Sequence, residues 1–233
     1  MPAHFIHLRL HSEYSIVDGI CRLDDAVAAA AADGQQALGL TDLGNTFGFI
    51  KFYGAARAKG VKPLLGADLY VTNPLDRDAP YRVLLLVQND QGYKNLCTLI
   101  SRAWLTNSYK DRGEIRFEWF SEPAQPASAS SGTPASAHLT GPTAGTPALL
   151  HHGLICLSGG PAGEVGQALL RGGEQALALA QDAAQRHQAV FADRFYLEVQ
   201  RAGTPEDDRL VSQTAGLAAS LGIPLVARTP FSL

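Results

Sequence analysis

What this sequence has little of constrains it first. Its three cysteines, Cys21, Cys97 and Cys156, are odd in number, far apart and without a CxxC pair. That excludes a disulfide framework and a thiolate zinc site and suits a reducing compartment. Each cysteine reads as a small buried apolar residue. Basic charge is not in excess either. With 19 Lys and Arg against 22 Asp and Glu, the formal net charge is -3 and the pI about 6.1. Domains whose main task is to grip nucleic-acid phosphates carry a clear surplus of Lys and Arg, so that class is disfavoured. No stretch approaches the ~20 apolar residues of a membrane span. Residues 1–10 alternate polar with apolar and lack the apolar core of a signal peptide. The expectation is a soluble, cytoplasmic protein.

Charge of either sign is missing from one segment. Between residues 123 and 150 there is no Asp, Glu, Lys or Arg. Such a stretch buries too little apolar surface to offset the entropy of ordering it. It reads as a disordered, low-complexity surface insertion over 121–150, inside a single domain spanning 1–233.

What is there is an ordinary globular composition, 46% hydrophobic and 18% charged over 233 residues, enough for one large α/β domain or two small ones. Strand and helix periods alternate. Strands are expected at 5–10, 37–41, 62–71, 82–87, 153–157, 195–199 and 224–227. Helices are expected at 22–33, 46–59, 92–104, 163–170, 174–187 and 205–221, the last opened by Thr204 as N-cap. Strands separated by helices imply right-handed βαβ units and a parallel sheet. Seven strands suit a barrel as well as an open sheet, and period alone does not choose.

In a parallel α/β barrel, chemistry collects at the carboxyl ends of the strands. The polar residues there are His11, Asp42, Asp68 and Glu198, with Asp18 in the loop that follows His11. His7, Arg9 and His11 are spaced by two and share one strand face. Imidazoles and carboxylates converging at a rim point to metal-dependent hydrolysis of a phosphoester. Each residue also has a plainer reading. Asp18 before Gly19 suits a turn, Asp42 a strand-to-helix cap, His11 a satisfied core histidine, and Glu198 a buried partner for an arginine.

Taken in order, these residues carry a resemblance. Arg9-Leu10-His11-Ser12-Glu13-Tyr14-Ser15-Ile16-Val17-Asp18-Gly19, Thr41-Asp42-Leu43-Gly44-Asn45 with Gly48-Phe49-Ile50-Lys51-Phe52-Tyr53, and Lys62-Pro63-Leu64-Leu65-Gly66-Ala67-Asp68 are similar to the first three motifs of the PHP family. Gly92-Tyr93-Lys94-Asn95-Leu96 and Phe195-Tyr196-Leu197-Glu198-Val199-Gln200-Arg201 extend it. The versions resemble those at the front of bacterial DNA polymerase III α subunits. The resemblance implies a distorted (β/α)7 barrel. It also implies a place beside the polymerase palm, with the proofreading exonuclease subunit as partner and the sliding clamp and DNA reached through the complete subunit.

The same resemblance implies a dismantled metal site. Arg9 stands where metal-loaded members carry a histidine, Leu43 and Tyr81 replace further histidines, and Gly160 replaces a cysteine. Asp68 is a shortened glutamate, and Pro230 and Ser232 fall where an aspartate and a histidine belong. His11, Asp18 and Asp68 survive. They could hold one divalent ion weakly, not a cluster, so no cofactor and no catalytic residue is expected. A guanidinium donates no lone pair; Arg9 is expected to form a hydrogen-bonded ion pair with Asp18 or Asp68. The favoured expectation is a non-catalytic scaffold within a DNA-directed DNA polymerase. The alternatives are a residual metallo-phosphoesterase (a nuclease or pyrophosphatase) and a free-standing phosphatase related to histidinol-phosphate hydrolysis.

Overall fold

The computed structural model describes residues 5–124, 148–201 and 205–228. Most of the insertion expected over 121–150, and the positions Pro230 and Ser232, lie outside the described residues. The elements follow as α1 (Leu23–Ala32), β1 (Ala37–Leu40), α2 (Phe49–Ala58), β2 (Lys62–Val71), β3 (Tyr81–Val87) and α3 (Asp90–Thr106). Then come β4 (Ser108–Tyr109), β5 (Arg112–Ile115), β6 (Leu154–Leu157), α4 (Glu164–Arg171), α5 (Glu174–Phe191), β7 (Phe195–Gln200), α6 (Pro205–Leu221) and β8 (Leu225–Arg228). Among the described residues no helix is long and apolar enough to cross a membrane.

Local sequence accounts for the helices. In α1 the buried residues Leu23, Ala26, Val27 and Ala30 form one stripe, and Asp24 and Asp25 sit in the first turn, where the helix dipole favours negative charge. In α3 the Asn89 side chain accepts the Gly92 N–H at 3.0 Å, satisfying one of the free donors of the first turn. Leu96, Leu99 and Ala103 face the core from the same helix.

The sheet is mixed, not parallel. β2 runs parallel to β1 through Lys62–Leu65 and antiparallel to β3 from Gly66 onward, and β3 is antiparallel to β6 as well. β6, β7 and β8 are mutually parallel. Among β1, β2, β3, β6, β7 and β8, only β3 is therefore reversed. The cause is its connection: residues 72–80 form a loop with no crossover helix, and such a link returns the chain antiparallel. The β4–β5 hairpin, turning through Lys110 and Asp111 at positive φ, extends the edge of β2 and was not signalled by period.

Segment 5–10, expected as the first strand, lies against β1 without a regular ladder. Its carbonyls accept from β1 and the residue after it, Gly39 N–H to His7 at 2.8 Å and Thr41 N–H to Leu10 at 3.0 Å. Its own amides go to side chains instead, His7 N–H to Gln35 Oε1 and Leu10 N–H to Thr41 Oγ1. The two backbones come so close that a Cβ on Gly39 would lie 2.6 Å from the Leu8 carbonyl oxygen, so only glycine fits there.

The lateral order is segment 5–10, β1, β2, β3, β6, β7, β8, seven extended segments as expected. A small inner cluster of Leu84, Leu86 and Leu157 also receives Leu8 from the first segment and Val226 from the last strand. The sheet therefore curls until its two ends share a core, although no described ladder joins β8 to segment 5–10. The larger cluster, with Phe52, Phe120, Phe191 and Phe195 fully buried, packs the helices on the outer face.

Candidate functional site

The loop after segment 5–10 is fixed by side chains from the end of β1. Asp42 accepts two bonds from Ser12, from its N–H at 2.6 Å and its hydroxyl at 3.0 Å. Ser15 Oγ donates to Asp18 at 2.7 Å and accepts the Leu43 N–H at 3.0 Å. Asn45 Nδ2 donates to the Tyr14 carbonyl at 3.0 Å. Burial raises the Asp42 carboxyl above the usual range against the pull of the Ser12 bonds. Asp42 thus anchors the loop through Ser12. It does not form the helix cap that its plainer reading expected: α2 begins after Gly48 with no side-chain cap.

The loop brings Asp18 back over the strand ends, where six ionisable side chains meet. Asp68, fully buried, is the hub: its Oδ2 lies 3.5 Å from Arg9 Nη2, 3.2 Å from His11 Nε2 and 3.6 Å from Arg82 Nη1. Arg9, 8% exposed, also places Nη2 3.5 Å from Glu198 Oε2, and Glu198 is 3% exposed. His11 turns its other nitrogen to Asp18 at 3.0 Å, and Arg82 reaches Asp18 at 3.5 Å. Burial would lower the His11 pKa, but its contacts with Asp18 and Asp68 outweigh this and leave it raised. Burial opposes ionisation of Asp18, yet His11 and Ser15 hold it down to about 2. Asp68 is likewise lowered, Arg9, His11 and Arg82 together overcoming the cost of burial. With His11 protonated, three cations face three carboxylates.

The outcome for the expected residues is mixed. Arg9 meets Asp68 as anticipated, but its second partner is Glu198 and not Asp18. The contact is one of charge: Arg9 Nε and Nη2 and both Asp68 oxygens lack an aligned hydrogen bond, so the expected hydrogen-bonded pair is not formed. His7 stays apart from the network, its ring edge-on to Phe5 at 4.8 Å. Leu43 bridges Asp68 through backbone and contributes an apolar side chain. Gly160 sits beside the site: a Cβ there would be 3.9 Å from the Glu198 carboxyl carbon, and its φ of +58° favours glycine.

Tyr81 does not belong to the site. On β3, residues 81, 83 and 85 point to the outer cluster while 84 and 86 point inward, so alternation sends Arg82 into the pocket and Tyr81 toward α4 and α5. Arg82 is the functional position that sequence reasoning missed. Its Nη2 also donates to Tyr70 Oη at 3.1 Å, and the guanidinium lies 5.0 Å from that ring's centre. The signal was the inward period of Leu84 and Leu86, extended one step back.

These residues do not fit a two- or three-metal centre. Such a centre needs several imidazoles and carboxylates holding ions about 3.5–4 Å apart. Here both nitrogens of His11 face carboxylates, and two guanidiniums, which cannot ligate, stand among them. Among the described residues no group of three or more His, Cys, Asp or Glu is arranged to hold an ion.

Comparison with known proteins completes the picture. The chain is 40% identical over 228 residues to a DNA polymerase III subunit alpha of Pseudomonas fluorescens and 36% identical over 224 residues to that of Escherichia coli K12. These matches cover 97% and 96% of this chain but only 17% of each relative. Two solved structures share the fold at 14% identity. One is a protein of Bifidobacterium adolescentis described as a metal-dependent phosphoesterase, with a TM-score of 0.51 over 97% of this chain and 87% of that one. The other is an amidohydrolase of Chromobacterium violaceum with bound sulfate and no metal, with a TM-score of 0.52 over 98% and 88%. The model of the PHP domain family matches residues 7–202, a span that contains every motif from Arg9 to Arg201, and the chain belongs to the PHP domain family.

Proposed function

We propose that this chain is the PHP domain of a cytoplasmic replicative DNA polymerase α subunit, serving DNA replication as a non-catalytic scaffold. It supports the polymerase palm and docks the proofreading exonuclease subunit, and it meets the sliding clamp and DNA only through the complete subunit. The observation that carries this reading is Arg9, whose guanidinium lies between Asp68 and Glu198, two carboxylates that a metal cluster would otherwise require. Arg82 and His11 complete the neutralisation. A buried network of this kind costs desolvation and does little for stability in itself; it keeps the strand ends in register without a metal.

Co-elution is the test. The full-length subunit is expected to co-elute with the exonuclease on gel filtration, and a subunit lacking residues 1–233 is expected not to. Co-elution of the truncated subunit would defeat the docking role. The rival reading, a residual metal-dependent phosphoesterase, requires near-stoichiometric Zn, Mn or Fe in the purified subunit, and elemental analysis at trace level would dismiss it.

A further inference from the structure

Five large apolar side chains are left in solvent around the mouth of the ionic site. Ile16, Val17 and Ile20 on the loop after His11, and Phe47 and Ile50 at the start of α2, are between 73% and 97% exposed. They share one rim because the two stretches are laced together: Asn45 bonds the Tyr14 carbonyl and, through Oδ1, the Phe47 N–H, while Ser15 takes the Leu43 N–H. Trp104 Nε1 donates to the Gly44 carbonyl at 2.9 Å and braces the second stretch from α3. At the edge, Lys51 pairs with Glu13 at 2.9 Å and Asp24 at 3.4 Å. An apolar centre bordered by paired charges is the anatomy of an interface.

The character of the rim selects its occupant. A branched-aliphatic and aromatic surface whose interspersed charges, Asp18 and Lys51, are already paired belongs with permanent interfaces; transient ones are more polar. The partner that is always present at one copy is a covalently attached one. Curated relatives matching this whole chain devote only 17% of their length to it, so they carry a long further polypeptide. We infer that the Ile16–Val17–Ile20–Phe47–Ile50 rim is covered by the remaining polypeptide of the same α subunit, which thereby caps the Arg82–His11–Asp18 side of the ionic network. This rests on the α-subunit reading above.

The test uses the full-length subunit with Val17→Cys, and with Lys59→Cys at the opposite end of α2 as an exposed reference, each labelled by a water-soluble maleimide and read by peptide mass spectrometry. Labelling at 17 is expected to be slower than at 59 by about tenfold or more, as for a thiol in a water-excluding contact. Adding Phe47→Asp and Ile50→Asp should restore it to the reference rate. Equal rates at both positions in the unmutated background would overturn the inference. Slow labelling that appears only on adding the exonuclease, or only at high protein concentration, would overturn it too, by assigning the rim to a subunit in trans or to a second copy. Co-elution of the exonuclease judges the scaffold reading separately, since it is measured on the unmodified subunit and does not depend on the labelling rates.

Discussion

Arg9 Nη2 stands 3.5 Å from Asp68 and 3.5 Å from Glu198, carboxylates carried by β2 and β7, three ladders apart in the sheet. The shared cation is what allows both acids to be buried. Arg9→Ala is expected to lower stability by about 3–5 kcal/mol, the usual cost of stranding buried charge. Thermal denaturation of the variant measures it, and an unchanged melting temperature contradicts it. Adding Glu198→Gln to the variant should recover part of the loss, because it removes one of the two carboxylates left by Arg9 while keeping Asp68 for His11 and Arg82.

Stability should depend on pH through His11 and Asp18. The His11 pKa is raised from 6.5, so its contribution is complete below 6.5 and fades as pH climbs through the folded value. The Asp18 pKa is lowered from 3.8 to about 2, so its contribution is complete above 3.8 and disappears as pH falls toward about 2. Urea midpoints are therefore expected to be highest between 3.8 and 6.5 as far as these two groups decide. His11→Gln should flatten the alkaline side, and an alkaline limb as steep as the wild type's would contradict the assignment.

Face matters on β3. Arg82→Met should raise the Asp18 pKa, since it removes one of the positive charges holding that carboxyl down. Tyr81→Phe, one residue earlier and on the outer face, should leave Asp18 where it is. Carbon-detected NMR titration of the Asp18 carboxyl distinguishes them; equal shifts for both variants would show that Tyr81 faces the pocket after all.

Asp42 is expected to matter for loop order and not for any metal. Asp42→Ala leaves the Ser12 N–H and hydroxyl unpaired in a buried position, a loss of about 1–3 kcal/mol. Hydrogen exchange at residues 12–19 should rise well above that of α3. Protection equal to wild type would mean that the loop is held elsewhere.

Much of this was legible in the sequence because it is local. The bounds expected for β2 and α6, 62–71 and 205–221, coincide with the structure, since local apolar pattern marks them; the cap expected at Thr204 lies outside the described residues. The reversal of β3 was not legible: strand direction depends on the path of residues 72–80, and nothing in Arg82–Val87 records it. Segment 5–10 alternates like a strand, yet its amides bond to Gln35 and Thr41 side chains, a choice made by tertiary contacts. At the site, Asp68 could be read as a partner of Arg9, and Glu198 as the partner of an arginine, though not of which one. Arg82 could not, because an arginine opening an apolar strand looks like a solvent-facing edge until its inward face is known. Tyr81 was misplaced by the same single-residue ambiguity.

The Arg9 contacts also have a kinetic side. Arg9 and Glu198 lie at nearly opposite ends of the described chain, so their meeting closes almost the longest loop the polypeptide can make, and loop entropy defers such a contact to late in folding. A contact absent from the transition state acts on the reverse reaction. Arg9 is therefore a brake on unfolding: it governs how long the curled sheet lasts once formed and has little influence on how quickly it forms.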